Sequence, residues 1–116
     1  VEIEIEILGK GKIKGFLDNR NPVTARALYE SLPLDGTSQV WQDEVYFPIT
    51  LEIDYENSSS SSEQGDISYW PPGHAFCIFF GESQPASPVN HVGLITDNME
   101  LLKEVGAGEM VIISRL

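Results

Sequence analysis

The chain has 116 residues, 41% of them hydrophobic and 22% charged, the composition of one folded domain over residues 1–116. Eighteen acidic against seven basic residues give a net charge of −11, which repels a nucleic-acid backbone, and no apolar run reaches the ~20 residues of a membrane span. The single cysteine, Cys77, leaves no intrachain disulfide to form and suits a reducing cytosol, so a cytoplasmic protein is expected.

Residues 1–8 alternate Val1, Ile3, Ile5 and Ile7 with Glu2, Glu4 and Glu6, a half-buried strand that does not read as a secretory signal. Gly9-Lys10-Gly11 turns the chain into a second strand over 12–18. A turn centred on Lys10 sets Glu6 opposite Lys14. Asn21-Pro22 signals a helix start, with Asn21 as the N-cap, and the helix runs over 23–32 with Ala25, Leu28 and Leu32 on one stripe. Asp35-Gly36 reads as a turn, and strands follow over 39–42, 45–49 and 51–55. Residues 57–64, with five consecutive serines, read as a flexible surface loop inside the single domain. A strand over 66–70, a Pro71-Pro72-Gly73 turn and the wholly apolar run 75–80 come next, the last fitting a strand covered on both faces. Strands over 91–96 and 110–114 flank a short helix over 98–105, with Asp97 as its cap. About eight strands and two short helices fit a mainly β fold, a small closed antiparallel barrel.

Residues 27–102 hold twelve acidic side chains and no Lys or Arg. That surface serves solubility or steers cationic ligands. A site there has no cationic side chain beyond His74 and His91, so oxyanion or phosphate work would need backbone N–H groups, an imported metal or a helix N-terminus. His74 and Cys77 form H-x-x-C, but residues three apart on a strand face opposite ways, so no metal site is expected. Cys77, in apolar surroundings, reads as an inert thiol. No phosphate-binding loop, dinucleotide fingerprint or nucleophile elbow occurs, and no cofactor is expected.

The order of elements, with G-D-I-S-Y-W-P-P-G-H-A-F-C-I-F-F-G over 65–81, V-W-Q-D-E-V-Y-F over 40–47 and the strand and helix over 93–102, resembles a cyclophilin. It is most similar to a compact cyclophilin-like branch of uncharacterised function in archaea and bacteria. The resemblance implies the closed barrel and an aromatic pocket at Trp70 and Phe80, with Tyr46, Glu44, Trp41 and His74 as further ligand-binding candidates. Cyclophilins isomerise prolyl peptide bonds with an arginine on the strand after the first helix, and residues 40–49 contain none. The pocket glutamine falls on Ile78 and the pocket histidine on Val89, with His91 two residues away. No catalytic residue is therefore assigned. The expected function is a module binding a peptide or small apolar ligand, with a divergent prolyl isomerase as the alternative.

Overall fold

The computed structural model describes residues 1–116. Its elements are β1 (Glu2–Ile7), β2 (Gly11–Leu17), α1 (Pro22–Ser31), β3 (Leu34–Thr37), β4 (Gln39–Trp41), β5 (Glu44–Pro48), β6 (Asp66–Trp70), β7 (Ala75–Phe79), β8 (Asn90–Asp97) and β9 (Met110–Arg115). Two 3-10 turns, Pro71–Gly73 and Met99–Glu104, complete the set. The strands form one antiparallel sheet in the order β3-β9-β1-β2-β8-β6-β7-β5-β4. No helix is long and apolar enough to cross a membrane.

The two ends of that order, β3 and β4, are consecutive in sequence and separated only by Ser38. One extended segment thus pairs first with β9 and then, past a corner, with β5, which brings the sheet round into a nearly closed barrel. Ser38 is buried, and every polar group on it is used. Its N–H donates to the Glu109 carbonyl at 2.8 Å, its carbonyl accepts from Gly108 N–H at 2.8 Å, and its hydroxyl donates to the Gly106 carbonyl at 2.6 Å and accepts from Glu109 N–H at 2.9 Å. Across the corner the Phe47 ring lies so close to Gly36 that a Cβ there would meet it at 2.4 Å, so only glycine fits.

The interior is the set of side chains that strand alternation turns inward. Ile3, Ile5 and Ile7 of β1 meet Val45 and Phe47 of β5, Ile67 and Tyr69 of β6, and Phe76 and Ile78 of β7. Ala25 and Leu28 of α1 and Leu32 just past its end join them, as do Leu101, Leu102 and Val105 at the second helical turn. Every residue of β7 is buried, because its other face (Ala75, Cys77, Phe79) is covered as well, with Val89 in the same outer cluster.

Several local expectations are corrected. The first hairpin turns at Gly9, which adopts a left-handed φ of 82°, so Glu6 faces Lys12 and Glu4 faces Lys14. Lys12 also reaches Glu4 diagonally at 3.5 Å. Asp35-Gly36 is part of strand β3, not a turn. The second helix is a 3-10 turn that starts after Asn98, while Asp97 ends β8.

Residues 51–55 form no strand. Their backbone polar groups are claimed by side chains: the Tyr69 hydroxyl donates to the Leu51 carbonyl at 2.7 Å and accepts from Ile53 N–H at 3.1 Å, and Asn90 Nδ2 donates to the Asp54 carbonyl at 3.0 Å. The segment delivers Glu56 to the start of α1. There its carboxylate accepts from Val23 N–H, Thr24 N–H and the Thr24 hydroxyl at 3.2, 3.0 and 2.9 Å. Partial desolvation raises the Glu56 pKa, but these donors outweigh it and hold the carboxyl below its ordinary value. Asn21 occupies the N-cap position without capping, because its amide donates to the His91 carbonyl and accepts from Asn57 N–H.

Candidate functional site

Alternation that sends Val45, Phe47, Ile67, Tyr69, Phe76 and Ile78 inward sends Glu44, Tyr46, Ser68, Trp70 and Cys77 to the barrel's outer surface. Trp41 of β4 lies directly across the hairpin from Glu44, and Tyr46 pairs with Cys77. This row forms one wall of a cavity of about 140 Å³. The other wall is the returning segment 85–89, through Pro85, Ala86, Ser87 and Val89. The space is close to that of an engineered cavity of ~150 Å³ that accepts benzene, so it admits a group of side-chain size.

Trp70 is held in place on two sides. Its indole Nε1–H donates to the Ser87 hydroxyl at 2.7 Å. Beneath it the Pro71–Gly73 turn passes so close that a Cβ on Gly73 would lie 2.5 Å from the ring. The 80–83 stretch that leads into the second wall is tied to the β4–β5 turn: Phe80 N–H donates to the Asp43 carbonyl at 2.9 Å, and Asp43 N–H donates to the Ser83 hydroxyl at 3.2 Å. The cavity is thus formed by hydrogen-bonded elements from both sides.

Glu44 is the one charged side chain that lines it. Its residue is buried, and burial raises its pKa, partly offset by the neighbouring Cys77 thiol. The Cys77 thiol is fully buried; burial first, and the neighbouring Glu44 second, push its pKa well above the ordinary value. As a nucleophile it is inert.

Four of the six ligand-binding candidates, Trp41, Glu44, Tyr46 and Trp70, line this one cavity. Two do not. Phe80 continues the inward register of Phe76 and Ile78, so its ring packs in the barrel interior and touches the surface only at a separate depression beside Asp43 and Lys103. His74 ends the Pro71–Gly73 turn in a left-handed conformation and lines a different cleft, with Glu52, Asp54 and Tyr55. The sequence reading missed Ser87 and the apolar wall around it, since a Pro/Ser loop carries no periodic signal. Val89, at the position of the cyclophilin pocket histidine, is an apolar part of that wall.

A second concavity is wholly polar. Arg20 donates to Asp18 at 2.9 Å, to Asp66 at 3.2 Å and to the Gly93 carbonyl at 3.0 Å. His91 Nε2 donates to the Ser61 carbonyl at 2.7 Å, and Nδ1 is hydrogen-bonded to the Ser68 hydroxyl at 2.6 Å. Asp66 stands 3.7 Å from the same Nδ1. Ser68 and Asp66 share one ring nitrogen, and Ser68 is fully buried, so the trio pins β6 to β8 and the serine run and presents no nucleophile. The serine run is laced to the second wall of the cavity as well, through Ser59 to Val89 and Ser62 to Ser83 and Gln84.

The chain is similar to the hypothetical protein AF2241 from Archaeoglobus fulgidus, whose solution structure superposes with a TM-score of 0.84 at 36% identity, over 99% of this chain and 94% of that one. McbB, solved in complex with tryptophan, superposes with a TM-score of 0.79 at 21% identity. That match covers 97% of this chain but 44% of McbB, and it shows the fold alone. No curated protein matches the chain. The family model described as Cyclophilin-like matches residues 1–114. The chain belongs to the Cyclophilin-like family.

Proposed function

We propose that this protein is a cytoplasmic binding module whose outward cavity takes one side chain of a peptide, or a small apolar ligand, with little or no prolyl isomerase activity. The observation that carries the reading is a preformed apolar cavity between Trp41, Tyr46, Trp70 and the 85–89 segment that has no cationic side chain in its lining. Prolyl isomerisation lowers a barrier of ~18–20 kcal/mol by favouring loss of amide resonance, which a guanidinium assists with its fork of donors. Removing one such preorganised donor typically costs about 10²–10³ in rate. Arg20 is already engaged by Asp18, Asp66 and Gly93 in the polar depression, and Arg26 lines a separate one on α1 with Pro22 and Glu30.

A protease-coupled assay on Xaa-Pro peptides, with proline-rich peptides titrated in parallel, tests the reading. Trp41 and Trp70 are the only two tryptophans, and both line the cavity, so their fluorescence reports occupancy directly. The expected result is isomerisation at the uncatalysed rate together with saturable quenching that Trp70→Ala abolishes. Turnover like that of an ordinary cyclophilin would replace the binding module by a divergent isomerase.

A further inference from the structure

The cavity combines three large aromatic side chains with a single carboxyl group, and this combination narrows what fits it. Trp41 and Glu44 are cross-strand partners, Tyr46 is two residues along the same face, and Trp70 closes the side under Ser87. Aromatic faces carry negative charge density, so rings around a small space favour a cation over a neutral group of equal shape. A carboxylate in the same space adds an opposite charge in a poorly hydrated setting. Glu44 has no ion-pair partner within the chain. Its titratable neighbours are the Cys77 thiol, on the adjacent strand, and the Tyr46 phenol, and neither supplies a positive charge. No Lys or Arg occurs between residues 27 and 102, so the surrounding field also attracts cations.

We propose that the Trp41–Tyr46–Trp70 cavity takes an alkylated ammonium head group, with its alkyl substituents against the rings and its charge beside Glu44. The inference rests on the reading of this cavity as a binding site and names the ligand class. The volume of about 140 Å³ holds a head group and not a whole ligand, so the remainder of the molecule lies outside. The same head group is found on free quaternary amines and on methylated lysine side chains.

Four probes followed by the indole Nε1–H resonances of Trp41 and Trp70 test this. They are choline, its neutral isostere 3,3-dimethylbutan-1-ol, a short peptide carrying trimethyllysine, and the same peptide with a tert-butyl group replacing the trimethylammonium. At least one charged probe is expected to bind about tenfold or more tightly than its neutral partner, and the better of the two identifies the source. In Glu44→Gln the preference should fall severalfold while the neutral probes are unaffected. Equal binding of charged and neutral probes, or a preference unchanged in Glu44→Gln, overturns the inference and leaves the cavity as an apolar site. If none of the four shifts either indole, the inference fails, and the proline-rich peptide titration decides separately whether the cavity binds anything.

Discussion

Two of the concavities on the outside of this barrel are built from the same sheet but in opposite ways. Around Arg20, Asp66 and His91 the buried polar groups are answered from within the chain: a guanidinium between two carboxylates and a carbonyl, and an imidazole between a carbonyl and a hydroxyl. Around Trp41, Tyr46 and Trp70 the one carboxyl group has a thiol beside it and no cation. Self-neutralised polar groups hold a fold together; a buried acid without a counter-charge costs stability and leaves an interaction open to an outside molecule. The polar depression is therefore a clasp, and the apolar cavity is the place where a ligand would gain most.

Substitutions break or sharpen this contrast. The largest effect is expected for Asp66→Ala, which removes the buried carboxylate that accepts from Arg20 at 3.2 Å and from the N–H of Glu63 at 2.8 Å. Because Arg20 is partly solvated, the loss is about 2–3 kcal/mol in urea unfolding, below that of a fully buried pair. A neutral outcome would remove the clasp from the argument. Gly73→Ala comes next. A Cβ placed 2.5 Å from the Trp70 ring forces the indole off its Ser87 hydrogen bond, at a cost of about 1–2 kcal/mol and with a shift in Trp emission. Unchanged emission would show that Trp70 is not held there.

The smallest effect has the opposite sign. Burial raises the Glu44 pKa in the folded protein above the ordinary 4.5 of the unfolded chain. The folded state therefore holds its proton to higher pH, and stability falls as pH rises through the folded-state value. Glu44→Gln, which cannot ionise, is expected to raise the Tm at neutral pH, and the gain should close as pH falls toward 4.5. A lower Tm at neutral pH would mean that Glu44 already has a compensating partner inside the fold.

Much of this arrangement was legible in the sequence because period-two alternation was. It separates Ile3, Ile5 and Ile7 from the glutamates, whereas Trp70 and Phe80 share one parity and face opposite ways only because the turn that pairs Trp70 with Ala75 reverses the phase. The resemblance grouped Phe80 with the pocket, whereas its own parity with Phe76 and Ile78 turns it inward. What the sequence hid was action at a distance. The alternating 51–55 segment is not a strand because Tyr69 and Asn90, remote in the chain, take its backbone groups. Likewise α1 is capped by Glu56 and not by the adjacent Asn21. Strand β3, with Asp35 and Gly36 among its four residues, lacks any β signal and forms because β9 offers it a ladder.

The corner at Ser38 has a consequence for how this molecule meets other chains. An open sheet ends in rows of free N–H and C=O groups that template further strands, by peptide addition or by aggregation. Here the two terminal strands are four and three residues long, and one bend belongs to both. A visiting strand finds no run long enough to extend. The corner that closes the barrel therefore leaves it without the long free edge along which strands add backbone to backbone.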